Sequence, residues 1–214
     1  IYKTHSTYLM TLIGGQTVMR LDKVQVHSGL LTKNSVTEFK GRHFVAADGD
    51  IVLFDGQNVE SIADKRVRRE IFHNLDGGNY GLSHVARYDD KNEIWFCYPE
   101  SGTDQVTRAA VWNWRDDRWM FRDLIDTKYV ASGVSVGTVY TIDGLTGSID
   151  TLDSTYSPTI DLPAANPTSD TLHNATTLAI HAVDISNDID GAAFPSRLEK
   201  ATMDLGDPVS IKLV

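Results

Sequence analysis

The sequence predicts an all-β, mainly antiparallel protein made of irregular, propeller-like blades, with one short inserted helix. Three observations carry this. Short apolar runs alternate with Asp-Gly and other polar turns along much of the chain. These turns suit tight hairpins, because glycine tolerates the positive φ that such turns need. A strand–turn–strand unit also recurs three times. Finally, only one stretch shows a helical rather than a twofold spacing of apolar residues.

The elements follow in order. Residues 42–62 read as strand, Asp48-Gly49 turn, strand, Asp55-Gly56 turn, strand. The helix is expected at about 64–75, with Val67, Ile71 and Leu75 on one face and Phe72 beside them. Ser61-Ile62-Ala63-Asp64 resembles a capping box at its start, and Asp76-Gly77-Gly78 ends it. Four more strands are expected at Ser83–Tyr88, Glu93–Tyr98, Val106–Trp114 and Arg118–Arg122, joined by polar turns. The same style continues from Val130 to Asp153. Gly14-Gly15 is a further turn. Three segments superimpose: Ile51–Gly56 leading to Val59–Ile62, Val111–Asp116 leading to Trp119–Arg122, and Val139–Gly144 leading to Ser148–Thr151. Serial antiparallel hairpins of this kind suit blades that stack radially, and they also suit a β-sandwich. Beyond them, Ser157–Asp170 reads as a long loop, with strands at Leu178–Ile185 and Arg197–Met203. The organisation is therefore blades over 1–153, a loop or insertion over 154–176, and further strands over 177–214. The first residue, Ile1, and the strand-like end at Ser210–Val214 both read as cut from a longer chain.

Composition narrows the function. With 214 residues, 41% apolar and 23% charged, the chain can bury a core without staples. No apolar run approaches the roughly 20 residues of a membrane span, and Tyr8–Ile13 lacks the layout of a signal peptide. Cys97, the only cysteine, lies in Ile94-Trp95-Phe96-Cys97-Tyr98 and reads as a buried, inert thiol. The net charge is −9, unevenly spread: from Tyr129 to Ser196 there are eight Asp and no Lys or Arg. Such a surface repels polyanions. Positive charge gathers instead on Lys65, Arg66, Arg68 and Arg69, along the polar face of the predicted helix.

Few motifs point to catalysis. The seven histidines are dispersed, without metal-ligand spacing, and neither a Gly-x-Ser-x-Gly elbow nor a phosphate-cradling glycine loop is present. The carboxylate pairs Asp48/Asp50, Asp89/Asp90 and Asp116/Asp117 all fall in predicted hairpin turns, where turn chemistry accounts for them. Asp184, Ser186, Asp188 and Asp190-Gly191 form a string like a calcium loop, but Arg197 stands where the bidentate Glu would be required. Trp95, Trp112, Trp114 and Trp119 could stack on sugars; in alternating strands they read as core. No cofactor, metal or catalytic residue is expected.

Gly41 to Gly56, Val67-Arg68-Arg69-Glu70-Ile71-Phe72, Asn92 to Pro99, Ala110 to Arg115, Trp119 to Asp123, Leu198-Glu199 and Leu205-Gly206-Asp207-Pro208 together resemble segments of the packaged-DNA stabilisation and tail-nozzle proteins of short-tailed bacteriophages. That family is also called tail tubular protein B. The resemblance covers roughly residues 25 to 125 well and the C-terminal part sketchily. It implies a structural, non-enzymatic virion protein, assembled in the bacterial cytoplasm. Six β-propeller-based subunits would form a ring below the portal adaptor and above the distal tail proteins. Such a tube retains double-stranded DNA in the filled head and conducts it, without sequence recognition, during ejection. Within that frame Lys65, Arg66, Arg68 and Arg69 are candidates for a subunit or DNA contact. Asp143, Asp150, Asp153 and Asp161 are candidates for an acidic channel or subunit face. The alternative is a β-propeller that binds or hydrolyses glycans at the host surface.

Overall fold

The structure is a computed structural model and describes residues 1–14, 18–26, 29–134, 170–183, 188–189 and 192–193. It is mostly antiparallel β-sheet, as the sequence predicts. Contacts divide the chain into two compact units, 1–183 and 184–214. The described part of the second is a short ladder between β13 (Asp188–Ile189) and β14 (Ala192–Ala193).

The first unit is organised by two consecutive antiparallel meanders. One runs through β3 (Val36–Phe39), β4 (Arg42–Ala46), β5 (Ile51–Phe54) and β6 (Val59–Ser61). Its turns follow from their residues. Lys40 and Gly41 join β3 to β4 with φ of 48° and 72°, and two left-handed residues in a two-residue loop match the twist of the paired strands. Gly49 and Gly56 supply positive φ to the two Asp-Gly turns. The Asp55 carboxylate accepts from the backbone N–H groups of Asn58 and Gln57, which closes the second of them.

The other meander is β7 (His84–Tyr88), β8 (Glu93–Tyr98), β9 (Val106–Asn113) and the first half of β10 (Arg118–Val134). Between the meanders lie α1 (Lys65–Asn74) and a short 3-10 turn at Tyr80–Leu82. The N-cap of α1 is Asp64, whose carboxylate accepts from Val67 N at 2.7 Å. The expected capping box therefore sits differently: Ser61 ends β6, and its hydroxyl donates to Asp50.

The meanders pack face to face. Phe39, Phe44 and Ile51 of the first meet Ile94, Phe96 and Trp112 of the second, with Val67 and Ile71 of α1 closing the side. Phe44 and Trp112 stack with ring centroids 6.0 Å apart. Backbone and side-chain bonds tie the edges together, from Val85 N to Asn34 O and from the Thr32 hydroxyl to Ser83 O. The opposite face of the second meander carries its own core of Trp95, Cys97, Ala109 and Val111.

That second core is covered by β10 itself. The strand pairs with β9 as far as Thr127, passes an irregularity between Asp123 and Thr127, and then pairs with β11 (Asp170–Thr176). Val130 from this far half and Leu172 from β11 seal the core. β12 (Ile180–Ala182) pairs with β11 and forms the outer edge of the six-stranded sheet. The loop or insertion expected over 154–176 ends earlier than that, because residues 170–176 form β11 and pair with β10; residues 154–169 lie outside the described residues. The expected strand at Leu178–Ile185 is shorter, with Leu178 in the turn before β12.

Two of the three superimposable segments fall on equivalent elements. β5–β6 and β9–β10 are each the third and fourth strands of their meander. The third segment, 139–151, lies outside the described residues. Two antiparallel meanders are thus seen, and no closed ring is formed among the described residues.

Candidate functional site

The basic helix face divides into a structural part and an open part. Arg68, half-buried, places Nη1 3.2 Å from Asp50 Oδ2 and so ties α1 to the β4–β5 turn. Asp50 is committed on all sides, because it also accepts from Ile51 N and the Ser61 hydroxyl. Lys65, Arg66 and Arg69 are exposed, and no ion pair involving them occurs among the described residues. Three of the four expected contact residues therefore present charge to solvent, while the fourth holds the helix in place. Asp143, Asp150, Asp153 and Asp161 lie outside the described residues, so no basic–acidic meeting within the chain is described.

The helix also carries Glu70, whose Oε1 is 3.5 Å from Arg108 Nη2. Arg108 reaches Glu100 and Asp123 as well, at 3.4 and 3.1 Å. One guanidinium thus ties α1, the segment after β8 and β10. Tyr98 is fully buried nearby, and desolvation holds its phenol well above the ordinary range.

The carboxylate pairs are where turn chemistry puts them. Asp48 and Asp50 flank the β4–β5 turn, Asp89 pairs with Arg87 at 2.7 Å, and Asp117 accepts from Trp112 Nε1 at 2.9 Å. A cleft of about 410 Å³ opens between the meanders, lined by Trp112, Trp114, Glu60, Asp117 and Lys40. Its aromatic surface is largely spent on packing. Trp112 is 5% exposed and stacks on Phe44 and Trp119, and Trp114 leans on Phe39. Of the calcium-like string, Asp188 begins β13 and Asp184, Ser186, Asp190 and Gly191 lie outside the described residues. Among the described residues no cluster of three or more His, Cys, Asp or Glu could hold a metal ion. No helix among them is long and apolar enough to cross a membrane.

Two buried groups complete the picture. Cys97 is fully buried, and desolvation raises its thiol far above the ordinary value. His84, the first residue of β7, is buried against the far half of β10. Val130 N donates to its Nε2 at 2.9 Å, so the ring proton sits on Nδ1 and points to the Leu82 carbonyl at 3.1 Å. Desolvation holds this histidine below its ordinary pKa, opposed in part by the Leu82 carbonyl.

The sequence reading overlooks one surface, a separate two-stranded ribbon of β1 (Ser6–Leu12) and β2 (Met19–Val26). Its base leans on the first meander through Tyr2, which contacts His43 and Phe54. Burial pushes the Tyr2 phenol up to about 12. The signal is present in the sequence: Tyr8–Ile13, the Gly14-Gly15 turn, and the alternation Met19, Leu21.

No protein-family model matches the chain, and no curated protein sequence matches it significantly.

Proposed function

We propose that the chain is a structural subunit of the tail nozzle of a short-tailed bacteriophage, part of a sixfold tube through which double-stranded DNA passes. The carrying observation is the duplicated, face-packed meander. The segments that resemble the nozzle family, Gly41–Gly56, Asn92–Pro99, Ala110–Arg115 and Trp119–Asp123, are the strands and turns of these two blade-like units. Phe44, Phe96 and Trp112 within them pack at the interface between the units, so the likeness follows the scaffold. A tube wall needs such a rigid scaffold, together with surfaces that do not trap a polyanion; the net charge of −9 fits that need. Lys65, Arg66 and Arg69 are the chain's candidates for contact with a neighbouring subunit or with passing phosphates. On this reading the protein acts in the virion, performs no chemistry and holds no cofactor. Its neighbours are the portal adaptor ring and the distal tail proteins.

Electron microscopy of intact virions and of the purified protein tests this. The expected result is a sixfold tube beneath the portal containing this chain. A monomer absent from virions overturns the proposal and turns attention to the Trp114-lined cleft as a glycan site.

A further inference from the structure

The sequence holds five Asp-Gly pairs, at Asp48, Asp55, Asp76, Asp143 and Asp190. Such a pair is open to a reaction of the chain with itself, because glycine has no side chain to keep its backbone nitrogen away from the preceding carboxyl carbon. The first three pairs lie among the described residues, and the fold treats them differently.

Asp55 and Asp76 are clamped. Asp55 Oδ1 accepts from Gln57 N and Asn58 N at 2.9 and 2.7 Å, and Oδ2 accepts from Asn58 Nδ2 at 3.2 Å. Asp76 Oδ1 accepts from Gly78 N and Asn79 N, both at 2.7 Å, and Oδ2 accepts from Gly102 N at 3.0 Å. These donors, Asn58 N–H foremost for Asp55 and Gly102 N–H for Asp76, favour the ionised form. The Asp55 carboxyl is pulled down to about 2, and that of Asp76 is lowered as well.

Asp48 has no such clamp. It is exposed, and among the described residues its carboxylate has no hydrogen-bond or ionic partner. The Gly49 N–H has no acceptor among them either. Gly49 has a φ of +82°, and no atom lies within 4 Å of the place a Cβ would occupy, so the space beside the pair is open. The turn that carries the pair is closed by Ala47 N donating to Asp50 O at 2.9 Å.

We propose that Asp48 is a self-modification site, where the β4–β5 turn converts to isoaspartate faster than the other two described Asp-Gly turns. Gly49 N attacks Asp48 Cγ while the carboxyl is protonated. The N–Cγ bond forms and a Cγ–O bond breaks. The hydroxyl leaves with the amide proton as water, and a cyclic imide remains. Water then adds to a ring carbonyl, and opening at the former main-chain carbonyl leaves the backbone running through Cβ, with a free α-carboxylate. Water is lost and regained, so the net change is an isomerisation. The change lengthens the main chain by one carbon just before Asp50, which accepts from Ile51 N, the Ser61 hydroxyl and Arg68 Nη1. Isoaspartate at this point therefore strains the Ala47–Asp50 closure and loosens the tie that holds α1. The inference stands on the turn itself and does not depend on the nozzle reading.

The test ages the full chain in warm neutral buffer. Isoaspartate is located by peptide mapping with electron-transfer fragmentation and counted by labelling with an isoaspartyl methyltransferase. In the folded chain it should accumulate several-fold faster at Asp48 than at Asp55 or Asp76. In urea, where the clamps are gone, the three rates should converge. Asp48→Glu, which would need a larger imide ring, should remove the signal at that turn. The aged wild type should also be cut faster by trypsin after Lys65, Arg66 and Arg69, whereas Asp48→Glu aged alongside should not. Conversion at Asp55 or Asp76 that matches or outpaces Asp48 in the folded chain overturns the site, and so does an intact Asp48 while the urea sample converts. This comparison within the wild type decides the site even where the variant fails to fold. Conversion at Asp48 with unchanged tryptic cutting supports the site and overturns its coupling to α1.

Discussion

His84 is the residue whose chemistry bears most directly on the fold's stability. It works only as the neutral ring, because a proton on Nε2 would turn the acceptor of Val130 N–H into a donor. Its folded pKa is lowered by burial, whereas an unfolded histidine titrates near 6.5. Below that pH the unfolded chain binds the extra proton and the folded chain resists it. The contribution is therefore complete above about pH 7 and is lost as pH falls toward the lower folded value. Urea unfolding of the wild type should show stability falling on this acid side, and His84→Gln should flatten the fall. His84→Leu, which leaves the buried Val130 N–H without its partner, should cost about 1–3 kcal/mol at neutral pH.

At the scale of elements, α1 depends on a short-range device. Asp64 supplies the one side-chain bond to the open N–H groups of its first turn, so Asp64→Ala should lower stability by about 1 kcal/mol in chemical denaturation. This helix, β4 to β6 and β7 to β9 were all legible, because their apolar spacing and turns agree with their final environment. The far half of β10 was not. Leu124-Ile125-Asp126-Thr127-Lys128-Tyr129 loses clean alternation because the strand changes partner near Thr127, so one run serves two surfaces. β3 escaped notice because only four residues and one buried side chain, Phe39, define it. The ribbon escaped because its apolar residues face outward, where patterning toward a core gives no guide. The basic cluster was legible as a helix face; that Arg68 would be drawn inward was not, since Asp50 lies 18 positions away and meets it only through the fold.

At the scale of the molecule, the two meanders stand or fall with the layer between them. Phe44 is fully buried against Trp112, and Phe44→Ala should remove about 3–5 kcal/mol, read as a fall in the denaturant midpoint. Reversing the charge of Lys65, Arg66 and Arg69, while sparing Arg68, should leave that midpoint within about 0.5 kcal/mol. On the proposed nozzle reading, the same triple change should impair assembly of infectious particles if this face meets a neighbour or DNA, which a plaque assay reads directly. Unchanged infectivity would remove the helix from the contact surface.

Cys97 gives the molecule an internal clock. It is the only thiol in the chain and lies one residue from the end of β8, sealed on its side by Val130 and Leu172. A labelling reagent can reach it only when the far half of β10 lifts or the whole unit opens, so the rate of thiol modification counts those openings. In the wild type at neutral pH, labelling by a disulfide reagent should take far longer than in urea. Acidification toward pH 5 should quicken opening through His84, which is followed by quenching and labelling at a common pH. If only the β10 flap lifts, thiol labelling will outpace global unfolding; if the unit opens as one, the two rates will coincide.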